Sequence, residues 1–224
     1  MKHTVKTVKN LLPPTLSHAA NMNEKPAVRK CAALSPRLQP RVNALLSSHS
    51  SLDSLMRVMN PELQQYCAEH KDRAYFGTAP TLVILRQAYH DEAATMWLLP
   101  QLYDLCEYCG VKEKLDKNQL KQLARAIASE FGFLKVSEIM LFLHHFKAGR
   151  YGRFYGAIDP MIIIMALRHD FMHERAAAIE KRESAERQAE WDAHCRLVAK
   201  QRAEARAAGR PMYPRMDTSP DTHS

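Results

Sequence analysis

Apolar residues recur at helical spacing between about residues 51 and 175 and thin out on either side. Leu52, Leu55, Met56 and Met59 stand at i, i+3, i+4 and i+7, the face of a short helix. Asn60-Pro61-Glu62 then reads as a cap, a first-turn proline and a carboxylate near the positive helix end, opening a second short helix to about His70. Gly77-Thr78-Ala79-Pro80 opens a third over roughly residues 80 to 98, which Pro100 should kink or divide, with a further stretch to Cys109 stopped by Gly110. Asp116-Lys117-Asn118-Gln119 has the form of a capping box, and Leu120, Leu123, Ala124, Ile127 and Phe131 follow at helical spacing up to Gly132. Ser137 is the expected cap of a helix through Phe146, with Ile139, Met140, Leu143 and Phe142 as inward candidates.

Asp159-Pro160 repeats the cap-plus-proline signal and predicts a long helix. From Ala176 to about Ala208 the chain is dense in Ala, Glu, Arg and Gln, with Ile179, Trp191, Leu197 and Val198 as its large apolar residues. No heptad seam lasts three repeats, so an exposed helix laced with i,i+4 charge pairs fits better than a sustained coiled coil. The expected fold is therefore all-α. It has a disordered arm over residues 1–50, a compact helical domain over 51–175, a charged helical extension over 176–208 and a disordered tail over 209–224. The expected core is Leu55, Met59, Leu85, Trp97, Leu102, Leu123, Ile127, Phe131, Ile139, Leu143, Ile163 and Leu167.

Composition narrows the function classes. No apolar run approaches the roughly 20 residues that span a bilayer, and no apolar signal core follows the N-terminal lysines, so a cytoplasmic protein without membrane contact is expected. The five cysteines are scattered, which suits a reducing compartment. Charge is uneven. Residues 1–50 carry eight Lys/Arg and one acidic residue, whereas residues 51–175 carry fifteen of each sign. A basic arm on a neutral body attracts phosphate backbones without sequence preference, or serves simply as a solvated leader.

The run Phe146-Lys147-Ala148-Gly149-Arg150-Tyr151-Gly152-Arg153-Phe154-Tyr155-Gly156-Ala157-Ile158-Asp159-Pro160 concentrates the remaining candidate chemistry. Gly149, Gly152 and Gly156, with Asp159 and Pro160, predict a structured loop between two helices. Lys147, Arg150 and Arg153 are of a type to pair with phosphates, and Tyr151 and Tyr155 to stack on bases or to pack inward. A structured hinge with its aromatics in the core is the competing reading. The pattern matches neither the dinucleotide fingerprint nor the phosphate-binding loop of ATPases.

The segment from Phe133 to Arg175 resembles an uncharacterised family found in Bacteroidota, their phages and integrated mobile elements. The likeness is carried by Phe146-Lys147, by Gly149-Arg150-Tyr151-Gly152 with Phe154-Tyr155-Gly156, and by Asp159-Pro160. Its layout, helix, glycine turn and helix ending in basic residues, is similar to segments of phage replication accessory proteins such as helicase loaders. That resemblance implies a role on DNA or on a DNA-bound complex, and a non-catalytic one.

Other motifs are weaker. Cys106 and Cys109 form a C-x-x-C without a second pair of ligands at usable spacing, so they read as small core residues and no metal or cofactor is expected. His90-Asp91-Glu92 and His169-Asp170 set acid beside base, but neighbours on a helix point in different directions and make no dyad by themselves, and His173-Glu174 lacks the second histidine of H-E-x-x-H. Trp191, alone on a charged helix, is the candidate contact for a protein partner. The expected function is a non-enzymatic accessory protein acting on DNA. The alternative is a protein-interaction adaptor working through the charged helix.

Overall fold

The computed structural model describes residues 36–110, 112–152 and 156–209. The arm before residue 36, the tail after residue 209 and the loop residues Arg153, Phe154 and Tyr155 lie outside the described residues.

The described chain is all-α. Its elements are α1 (Gln39–Ser48), α2 (Leu52–Val58), α3 (Leu63–Glu69), α4 (Lys71–Phe76), α5 (Leu82–Ala88), α6 (Ala93–Cys109), α7 (Lys117–Glu130), α8 (Val136–Lys147) and α9 (Pro160–Met165). The last of these continues through a π-helical segment (Ala166–Phe171) into α10 (Met172–Ala207).

The centre of the fold is α8. Ten of its residues are buried: Val136, Ser137, Glu138, Ile139, Met140, Leu141, Phe142, Leu143, His145 and Phe146. A helix apolar all round must be wrapped on every side, and α3, α4 and α6 pack against this one. Helix α7 lies against α6, and α1 against α5. The expected core residues are buried except Met59, which packs against the core while partly exposed. The Met59 carbonyl accepts from Trp97 Nε1 at 2.9 Å and from Gln101 Nε2 at 3.1 Å, tying the end of α2 to α6.

Several helix ends follow the sequence signals. Ser51, which the sequence reading does not single out, caps α2 through a bond from Ser54 N. Asp116 Oδ1 accepts from Gln119 N at 2.7 Å, while Gln119 Oε1 accepts from Asp116 N at 2.9 Å, completing the capping box. Gly110 closes α6 in the left-handed region at φ 62°, where a Cβ would be strained.

Four expectations are corrected. Pro100 does not divide a helix, because α6 runs through it from Ala93 to Cys109. The carbonyl four residues back belongs to Met96, whose side chain is exposed, so the missing N–H bond falls on the wet side of the helix. The break falls earlier, at Tyr89 to Glu92, where the Tyr89 hydroxyl donates to the His49 carbonyl. Helix α8 begins at Val136, with Lys135 at its cap and Lys135 N bonded to Glu138 Oε2. Ser137 instead spends its hydroxyl on the Ala74 carbonyl at 2.8 Å. Finally, residues 39–48 of the segment read as a disordered arm form α1, whose Val42 and Leu45 enter the core. These two apolar positions are too few to announce a helix without the groove that receives them.

Candidate functional site

The glycine-aromatic loop leaves α8 and returns at α9. Gly149, Gly152 and Gly156 adopt φ of 74°, 112° and 82°, a region closed to most side chains, which explains three glycines in eight residues. The returning segment is pinned by a short parallel bridge: Glu113 N donates to the Gly156 carbonyl and Ile158 N to the Glu113 carbonyl. Asp159 then caps α9 by accepting from Met161 N at 2.8 Å, and Pro160 occupies the first turn. The cap is therefore filled by the chain's own carboxylate.

Among the described residues of the loop, Lys147 and Tyr151 are engaged with the body. Lys147 Nζ pairs with the Asp104 carboxylate and lies 5.6 Å from the centre of the Tyr108 ring. Tyr151 stacks on Phe142, with centroids 5.4 Å apart, and meets the edge of Phe146. Burial and the Glu174 charge push the Tyr151 phenol well above its ordinary range. Arg150 remains half exposed.

Beneath Arg150 sits a polar cluster with His145 at its centre. His145 is 4% exposed. Its Nδ1 lies 3.1 Å from Glu174 Oε2 and 3.1 Å from the Tyr151 hydroxyl. A carboxylate only accepts, so Nδ1 carries the hydrogen and donates to Glu174. Arg150 Nη1, 3.5 Å from that nitrogen, then faces a second donor, and its productive contact is the ion pair with Glu174 Oε1 at 3.6 Å. Burial, assisted by the Arg150 charge, pulls the imidazole pKa down to about 4. Beside the cluster is a cleft of about 410 Å³ lined by Arg150, Tyr151, His169, Asp170, His173 and Glu174.

Sequence reasoning placed Lys147, Arg150, Tyr151 and the glycines in one loop. It missed that His145 and Glu174, 29 residues apart, close under that loop. The signal available was a histidine at the end of the apolar run Ile139 to Leu143 and next to Phe146, where burial calls for a polar partner. Cys106 is buried, with its thiol pushed up to about 11 by burial, while Cys109 is half-buried. Trp191 is 62% exposed on α10, tilted against His194 with ring centroids 6.1 Å apart.

The hydroxyl of Tyr151 faces inward, so a Tyr151→Phe chain should lose about 1 kcal/mol of unfolding free energy in urea and keep its affinity for any ligand bound outside the loop. Weakened binding at unchanged stability would place that hydroxyl at a ligand instead.

The model of the Family of unknown function (DUF6633) matches residues 114–198, from the start of α7 through the glycine-aromatic loop into α10. No curated protein and no solved structure matches the chain. Among the described residues no helix is long and apolar enough to cross a membrane.

Proposed function

We propose that this chain is a non-enzymatic accessory protein of a phage or mobile element that acts on DNA or on a DNA-bound complex, in a replication-accessory or regulatory role. The observation that carries the reading is the uneven charge: an excess of seven positive charges in residues 1–50 beside a body of balanced charge. Such a segment draws a polyanion to the body whatever its sequence. The loop supports the reading through Arg150, half exposed between two glycines of positive φ, and through Arg153 three residues on. Lys147 and Tyr151 act in it by holding the loop's shape. The acid and base groups under the loop favour a non-catalytic role, because His145 is buried and both its hydrogen-bond partners are internal.

The test is a fluorescence-anisotropy titration of labelled single- and double-stranded DNA across a salt series. Replacing Arg150 and Arg153 by alanine should weaken binding and make the log–log salt slope shallower by about 0.7 to 0.9 for each phosphate no longer neutralised. Unchanged affinity removes the loop from the interface, and no binding at low salt removes the DNA reading.

A second reading, an adaptor for a protein partner, is favoured by α10. That helix buries none of its residues and exposes Trp191 and Leu197. It becomes the better reading if DNA fails to bind and loss of residues 176–224 abolishes partner capture without moving the melting temperature.

A further inference from the structure

A second concentration of positive charge in the described body lies away from the glycine loop. Helix α4 and the first half of α10 lie side by side. Between them runs an open cleft of about 680 Å³. Its cationic lining is Lys71 and Arg73 from α4 and Lys181 and Arg182 from α10, against a single carboxylate, Asp72. Tyr75, Phe76, Gly77, Ala178 and Ala185 complete its lining. Ala178, Lys181, Arg182 and Ala185 follow i, i+3, i+4, i+7 spacing, so one face of α10 offers two small residues for close approach and two cations.

These cations are differently committed from those of the loop. Among the described residues, Lys71 and Lys181 have no ion-pair partner, whereas Lys147 and Arg150 do. Arg73 donates to the Tyr66 hydroxyl. Arg182 lies over the Phe76 ring, 4.5 Å from its centre, and gives Nε to Glu186. Its side chain lines the cleft and is half exposed, and its ion pair with Glu186 is made through Nε.

Phe76 and Gly77 also line a second cleft of about 680 Å³, which adds Arg41 and Lys135. The two clefts thus adjoin at Phe76 and Gly77, the line that the proposed track follows. Lys135 gives its amine to the Tyr75 and Gly77 carbonyls, at 2.6 and 2.8 Å. Its amine is pulled down by burial and then, against Glu138, by Arg175, Arg41 and Arg182.

We propose that this track, from Lys71 and Lys181 past Phe76 to Arg41, is a binding groove for single-stranded nucleic acid. It rests on the reading of the protein as a nucleic-acid binder and moves the principal contact from the glycine loop to the face between α4, α10 and α1. The chemistry selects the strand state. Each cleft has the volume of a site for one small molecule, enough for an unstacked nucleotide. The half-exposed Arg182 guanidinium, seated on the Phe76 ring, offers a plane on which a base can stack, with Lys71 and Lys181 beside it for phosphates. Continuity across two clefts suits a polymer better than a free nucleotide.

The experiment uses the full chain and fluorescein-labelled oligothymidylate at about physiological ionic strength, where screening suppresses loose contacts. The variant is Lys71→Glu with Lys181→Glu; neither lysine is ion-paired among the described residues, so the melting temperature should stay at the wild-type value. Its affinity should fall at least about tenfold, with the log–log salt slope reduced by about 1.4, two phosphates at about 0.7 each for a single strand. Photocrosslinking with 5-bromouracil in the oligonucleotide should label the wild-type peptide containing Tyr75 and Phe76. Wild-type binding that the double variant leaves intact, with labels elsewhere, overturns the groove while the DNA reading stands. Equal or tighter binding of duplex overturns the single-strand assignment. Failure of the wild-type chain to bind any oligonucleotide ends both readings, and capture of an oligoglutamate peptide under the same conditions would assign the groove to acidic protein segments.

Discussion

Replacing Glu138 by alanine is expected to cost about 3–5 kcal/mol of unfolding free energy, the usual loss when one member of a buried ion pair is removed. Glu138 is 1% exposed on the central helix α8. One oxygen accepts from Arg175 Nε at 2.7 Å and the other from Lys135 N at 2.8 Å. Alanine therefore strips a helix start of its acceptor and strands a half-buried guanidinium. Glu138→Gln keeps an acceptor for the Lys135 amide while losing the charge, and should lose less. Urea unfolding followed by circular dichroism checks both. A loss below about 1 kcal/mol for the alanine chain would show that the carboxylate is better solvated than its position indicates.

The second large effect is one of pH. Below about pH 6.5 the protein should lose stability as His145 is asked to take a proton. The folded state holds this imidazole at about 4, first through burial and then through Arg150, with Lys71 adding to the repulsion and Glu174 opposing it. The unfolded chain binds the proton near 6.5, so unfolding takes up protons in this window and stability rises with pH across it. The contribution is complete above pH 6.5 and gone below about 4. At about 1.4 kcal/mol per pH unit it is on the order of 3 kcal/mol. His145→Gln retains a donor for Glu174 and cannot titrate. Carboxylates titrate in both chains, so the quantity to follow is the difference between the two stability curves. It should shrink steadily from pH 6.5 to 4, and parallel curves would rule the histidine out as its source.

The helical architecture was legible because caps and stops are local chemistry. Asp116, Gly110 and Asp159 act within a few residues of themselves. Misreadings arose where distant partners decide. Pro100 looked like a breaker because its solvent-facing position depends on what covers the opposite side of α6. Ser137 looked like a cap because its true acceptor, the Ala74 carbonyl, is 63 residues away. The loop was visible from its glycines, yet the engagement of Lys147 with Asp104 and of Tyr151 with Phe142 could only come from packing. The groove was hidden for the same reason. Lys71 and Arg73 sit on a six-residue helix without an apolar period of its own, and Lys181 and Arg182 blend into a uniformly charged stretch.

The π-helical turn at Ala166–Phe171 has a geometric result for everything beyond it. Ile163, Leu167 and Phe171, all 0% exposed, recur every four residues, and Arg175 continues the row to meet Glu138. In a regular α helix a four-residue repeat drifts by about 40° per turn. The wider turn, with Met172 N reaching the Leu167 carbonyl five residues back, takes up that drift. It works as a phase corrector, setting the azimuth at which α10 leaves the body. The rotational setting of a 36-residue rod, and with it the direction in which Lys181 and Arg182 point, is thus fixed by one loosened coil at its root.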